Sequence, residues 1–173
     1  MGFNFLKKDD ASKLLGRAYR AIENQNFESA RELLEKALEI TQVNPEIHSE
    51  YAMVLSASGH FDRAIDHMIR AIMLKKQDPK LWSNLGFQFY LDKNKFKAIT
   101  SMLVAKNLNT RYPSVAKGLE AINSEFSISE DELNRCNKRA KTVFELLDKD
   151  IPGLPLQTGD MNNFLDPNNP ITV

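Results

Sequence analysis

The 173-residue chain sets 23 Lys and Arg against 23 Asp and Glu, so no net field gathers nucleic acid or anionic lipid, and a nucleic-acid binder is disfavoured. With 42% hydrophobic and 27% charged residues the composition is that of a globular domain, and no apolar run approaches the ~20 residues that cross a bilayer. A single cysteine, Cys136, and three histidines, His48, His60 and His67, offer neither an internal disulfide nor a closed zinc set. No basic stretch followed by an apolar leader is visible near the start, and the expected location is cytoplasmic.

Taken in chain order, residues 1–10 form a short N-terminal segment. Its Phe3, Phe5 and Leu6, followed by Lys7 and Lys8, make it a secondary candidate for membrane contact, although it is too short to anchor alone. From residue 11 the chain repeats. Ala30, Ala64 and Ala98 recur at an interval of 34, as do Ala37, Ala71 and Ala105, and Pro45, Pro79 and Pro113. The small residues Ala18, Ala52 and Gly86 and the bulky Leu34, Met68 and Met102 keep the same period. Units 11–44, 45–78 and 79–112 therefore each predict two amphipathic helices. Turns are expected at Asn24-Gln25-Asn26, Ser58-Gly59-His60 and Asp92-Lys93-Asn94, where the residues suit hydrogen-bonded or left-handed geometry.

Asn44-Pro45 and Asp78-Pro79 mark boundaries between units. A side-chain acceptor caps the new helix, and proline takes the first helical position, where a missing N–H is harmless. The alanine and glycine columns predict close helix crossings, inside each hairpin for Ala18, Ala30, Ala52, Ala64, Gly86 and Ala98.

Residues 113–150 predict two further helices, 114–125 and 129–147, that cap the array. The second opens with a capping box, Ser129 to Glu132. Residues 151–173 hold four of the seven prolines and several Asn and Gly, and are expected to be an extended or disordered tail. Ile151, Leu154, Leu156, Met161, Phe164 and Leu165 give that tail apolar groups that could dock.

Trp82, Leu85, Gly86, Phe89, Ala98 and Ala105 stand at the spacing W-x2-L-G-x2-Y followed by two alanines, so the chain resembles the tetratricopeptide repeat (TPR) family, whose repeat has the same period. The second unit matches through Ala52, Gly59, Phe61, Ala64 and Ala71, with His48 in the tryptophan's place. The first keeps Ala18, Phe27, Ala30, Leu34 and Ala37 but has Leu14 and Arg17 where tryptophan and leucine are usual. The resemblance implies an all-α fold, a right-handed superhelical solenoid of three hairpins with capping helices and a tail. In length, repeat number and helical cap the chain also resembles the class II chaperones of type III secretion, which implies holding an extended hydrophobic segment of a substrate.

By family position, the first helices of the units present an apolar inner groove. It would be lined by Leu15, Tyr19 and Ile22, by Ser49, Met53 and Ser56, and by Lys80, Ser83, Phe87, Tyr90 and Leu91. The spacings of four and three place each set on one helical face. The expected role is a non-enzymatic adaptor or chaperone that binds a partner peptide or helix there, with self-association into a homo-oligomer as the alternative.

One TPR subclass grips acidic peptide C-termini with Lys and Asn at set positions. Only Lys80 matches, the others being Leu15, Tyr19, Glu50 and Asn84, so that ligand is disfavoured. No phosphate loop or nucleophile elbow occurs. His60 and His67, seven apart, cannot share one ion on a straight helix. No catalytic residue, metal or cofactor is expected. Lys75, Lys76, Lys80, Lys93, Lys95 and Lys97 suggest a basic rim near the third unit, and Arg135, Lys138 and Arg139 surround a Cys136 that lacks a histidine nearby in the sequence.

Overall fold

The computed structural model describes residues 3–148, 161 and 163–169, and for residues 3–9 and 148 the backbone alone. The described elements are eight helices: α1 Phe3–Glu23, α2 Phe27–Ile40, α3 Pro45–Ala57, α4 Phe61–Leu74, α5 Pro79–Leu91, α6 Lys95–Leu108, α7 Pro113–Phe126 and α8 Glu130–Asp148. They fall into two compact units, residues 1–74 and 75–173.

The first unit holds hairpins α1–α2 and α3–α4, with α2 also packed on α3. The caps follow the sequence. Asn26 Oδ1 accepts from Ser29 N at 3.1 Å, and Asn44 Oδ1 accepts from Glu46 N at 2.9 Å, with Pro45 opening α3. Gln25, with φ 58°, and Gly59, with φ 78°, turn the two hairpins through the left-handed region. Glycine adopts that geometry without strain; glutamine does so at a cost of roughly 1 kcal/mol. Ala18, Ala30, Ala52 and Ala64 are all wholly buried, as close helix crossings require. The helix α1 begins at Phe3, so the first helix takes in residues 3–10 of the N-terminal segment. The side chains expected to touch a membrane lie outside the described residues.

In the second unit α5 and α6 form the third hairpin, turned at Lys93, with φ 62°, and capped by Asp78 and Asn94. The last two helices are not a fourth hairpin. α7 packs on α5 and α6, and α8 packs on α6, so α6 is surrounded. That explains why every residue from Ala98 to Ala105 is buried, hydroxyls included, with no polar face left on this stretch of helix. The capping box forms as expected: Glu132 N donates to Ser129 Oγ at 3.3 Å, and Ser129 N donates back to Glu132 Oε2 at 3.0 Å.

The tail is described in part. Met161 and residues 163–169 form a turn of helix and a following bend, and Met161, Phe164 and Leu165 are buried. Residues 149–160, 162 and 170–173, with Ile151, Leu154 and Leu156, lie outside the described residues.

Candidate functional site

The expected groove residues do not share one environment. In the first unit Leu15 and Ser49 are buried, at 6% and 2% exposure. Tyr19, Ile22 and Ser56 are half-buried, and Met53 is exposed. Ser56 Oγ donates to Ala52 O at 3.0 Å within its own helix. The Tyr19 hydroxyl is pushed up to about 12 by burial and by the carboxylates of Glu50 and Glu46, and it donates a hydrogen bond to Glu50.

In the second unit the predicted residues converge. Ser83, Phe87 and Tyr90 of α5 line a cavity of about 300 Å³ together with Met102 of α6 and Ser114, Lys117 and Gly118 of α7. Phe87 is 41% exposed, and its ring stacks on Tyr90 at 6.2 Å between centroids and 30° between planes. Phe126 of α7 meets Tyr90 edge-on at 6.1 Å. Lys93 lies 5.7 Å from the centre of the Tyr90 ring and pairs with Glu125. The result is an aromatic ledge braced from three sides beside an apolar hole. Ser83 is buried, its hydroxyl 2.9 Å from that of Ser114, and it contributes the polar end of the hole. Lys80 is exposed and Leu91 half-buried; neither lines the cavity.

Met102 forms the floor. A Cβ at Gly86 would lie 2.8 Å from Met102 Cγ and one at Gly118 2.6 Å from Met102 Cε, so the flexible thioether occupies space left by two glycines on facing helices. The repeat pattern pointed to Gly86; the matching role of Gly118, outside the repeat columns, was not legible.

Three lysines of the basic rim are paired with carboxylates. Lys75 pairs with Asp78 at 2.8 Å and Lys95 with Glu132 at 2.6 Å, while Lys97 lies over the Phe89 ring at 5.6 Å. The Lys95 ammonium and the Ser129 cap hold the Glu132 carboxyl down at about 2. Burial pushes the Cys136 thiol up despite Arg135 beside it, and its Sγ lies 3.8 Å from Phe96 O, so this cysteine is inert rather than activated.

Sequence reasoning also missed a histidine pair. His48 and His67 approach at 3.0 Å between their Nδ1 atoms, and His48 Nε2 lies 3.0 Å from Gln42 O. A carbonyl only accepts, so neutral His48 carries its proton on Nε2, and His67 donates from Nδ1. Among the described residues no group of three His, Cys, Asp or Glu could hold a metal ion. No described helix is long and apolar enough to cross a membrane.

A family model for the tetratricopeptide repeat matches residues 21–85. Residues 21–85 carry the tetratricopeptide repeat. No curated protein matches the sequence significantly. Among solved structures, the first TPR of Spaghetti (RPAP3) bound to the HSP90 peptide SRMEEVD is 15% identical, with TM-score 0.64 over 69% of this chain and 95% of that one. The second TPR domain of human RPAP3, in complex with the HSP70 peptide SGPTIEEVD, is 15% identical, with TM-score 0.63 over 68% and 98%. The Sgt2 TPR domain from Aspergillus fumigatus is 22% identical, with TM-score 0.52 over 84% and 92%. At these identities the likeness establishes the fold, and it agrees with the TPR hairpins seen here.

Proposed function

We propose that the protein is a non-enzymatic, cytoplasmic interaction module that takes an apolar side chain of a partner peptide or helix into the cavity between α5, α6 and α7. The observation that carries this reading is the exposed Phe87, stacked on Tyr90 at the mouth of a hole of about 300 Å³. Exposed aromatic rings held rigid beside a desolvated pocket are where interfaces concentrate their energy. Ser83, Ser114 and Lys117 supply a few polar groups to orient what enters.

The similar RPAP3 domains hold peptides ending in EEVD. Acidic ends of that kind suit this chain poorly. Of the positions that would grip them, Leu15 is buried, Tyr19 already bonds Glu50, and Glu50 is itself an anion. The partner segment is therefore apolar at its anchor rather than acid-terminated. An extended hydrophobic segment held by a secretion chaperone has that chemistry, and so does the aromatic ledge of a second copy.

The test replaces Phe87 and Tyr90 together by Asp. Proteins captured from native lysate by the wild type should be lost by roughly thirtyfold or more, since two anchor side chains are removed, while circular dichroism remains helical. Capture that persists on a helical double variant would sink the reading. A monomer mass from light scattering that is independent of concentration would dismiss the self-association route.

A further inference from the structure

The described tail does not line the α5–α7 cavity; it sits on α8. Arg139, only 8% exposed, donates from Nη1 to Phe164 O at 2.9 Å and from Nη2 to Asn169 O. One turn earlier on α8, Arg135 Nη1 donates to Asn168 Oδ1 at 3.0 Å. Met161, Phe164 and Leu165, spaced i, i+3 and i+4, give the segment one apolar helical face, and all three are buried. Two adjacent turns of α8 thus read a short peptide, Arg139 through two backbone carbonyls and Arg135 through an asparagine side chain, while its apolar face is removed from water.

The segment also organises itself. Leu165 N donates to Met161 O at 3.1 Å, closing a helical turn. Asp166 Oδ1 then accepts from Asn168 N at 2.9 Å and from Asn168 Nδ2 at 3.0 Å, which sets the bend through Pro167. A ligand that holds its own turn loses less entropy on docking. The opposing cost is equally visible. Docking takes the Arg139 guanidinium out of water, and Asp166 offsets that only in part. Undocking rehydrates the cation, so leaving is not prohibitive.

We propose that α8 carries a second peptide seat, built on Arg139 and Arg135, for which residues 161–169 of the same chain are a releasable ligand. The seat is separate from the aromatic ledge and does not depend on it. A free peptide with the same sequence of groups, two or three apolar side chains over one helical turn followed by an aspartate bend, competes for it.

The experiment uses full-length protein and a fluorescent synthetic peptide spanning residues 159–171. In the Phe164→Asp, Leu165→Asp double variant the chain's own segment is disabled, and the peptide should bind at least tenfold more tightly than to wild type, whose seat is filled. Adding Arg139→Gln to that variant should weaken the peptide again by roughly tenfold, the usual effect of losing a hydrogen bond from a charged group. No binding by a double variant of native helicity, or equal binding by wild type, overturns the proposal. Hydrogen exchange on Arg139→Gln alone gives a second reading: the amides of residues 163–169 should exchange roughly tenfold faster while those of residues 136–147 keep their protection. Unchanged protection of 163–169 overturns it as well.

Discussion

In the α5–α6 hairpin Trp82 fills the position that His48 holds in α3–α4, one repeat earlier in the chain. The Trp82 indole N–H donates to Lys76 O at 2.7 Å, and His48 Nε2 reaches Gln42 O at 3.0 Å, so each ring bonds a carbonyl shortly before its own helix, at the same offset in both repeats. Across each hairpin the facing residue changes in compensation. His67 meets the smaller imidazole of His48, and by repeat position its counterpart beside the large indole is Ser101. One pair is large and small, the other medium and medium. The column therefore specifies a volume shared by two side chains and one N–H donor rather than a residue type. The histidine solution carries an electrical property that the tryptophan solution lacks, because two imidazoles 3.0 Å apart cannot both take a proton without repulsion.

The largest way to break the comparison is to empty each position. Trp82→Ala removes a wholly buried indole and should cost about 3–5 kcal/mol, read as a lower midpoint in urea. His48→Ala removes less volume but leaves Gln42 O and His67 without their partner, for about 1–3 kcal/mol. An equal loss in the two variants would refute the volume argument.

A smaller effect sharpens the contrast at the crossing points. Ala52 has a Cβ in α3–α4 where α5–α6 has Gly86. A Cβ on Gly86 would sit 2.8 Å from Met102 Cγ and 3.0 Å from the carbonyl of Ala98, which is backbone and cannot swing aside. Gly86→Ala should therefore overpack by about 1–3 kcal/mol, offset by the ~1 kcal/mol that alanine gains over glycine in a helix. Gly118→Ala meets only the mobile end of Met102, at Cε and Sδ, so it should be neutral or stabilising by thermal melt. Equal destabilisation by the two changes would contradict the difference between a backbone neighbour and a flexible one.

What repeats in the chain was legible, as was the capping box of Ser129 and Glu132, which carries its own local signal; what depends on a single tertiary contact was not. Turns at Gln25, Gly59 and Lys93, caps at Asn44 and Asp78, and the buried alanines all recur once per repeat, each recurrence testing the others. The aromatic ledge was legible for the same reason, since Phe87 and Tyr90 share one face of a helix whose neighbours the repeat already placed. The splayed α7 and α8, the role of Gly118 and the seating of residues 161–169 depend on single tertiary contacts with no period behind them. That Leu15 and Ser49 are buried was not legible, because helical spacing gives a face but not how far the neighbouring helix overlaps it. The His48–His67 pair did have a signal, a histidine in a tryptophan column; reading it needed the partner position on the facing helix of the same hairpin.

The smallest expected effect follows from that pair. The side chains around it are charged but not complementary to an imidazolium: Arg70 and Arg63 act on His67 from α4, and the Tyr51 ring lies edge-on at 4.7 Å, its hydroxyl bonded to Glu35 of α2 and to Arg63. Burial lowers His48, and burial, His48 and the two arginines push His67 down to about 4. Both groups are bases whose folded values fall below the ordinary 6.5, so the unfolded chain takes up protons that the hairpin refuses. Stability from the neutral pair is complete above pH 6.5 and is lost as the pH falls from there towards about 4, where His67 begins to protonate in the fold at its unbonded Nε2. Because His67 is only half-buried, solvent screening reduces the loss to about 1–2 kcal/mol. Grafting the other hairpin's solution, His48→Trp with His67→Ser, should leave the stability at pH 7 near wild type and remove this part of the acid dependence. The check is the difference between wild-type and grafted urea midpoints at pH 7 and pH 5, in which carboxylates common to both chains cancel. A difference that does not change with pH would mean that the two imidazoles titrate alike in the folded and unfolded chains.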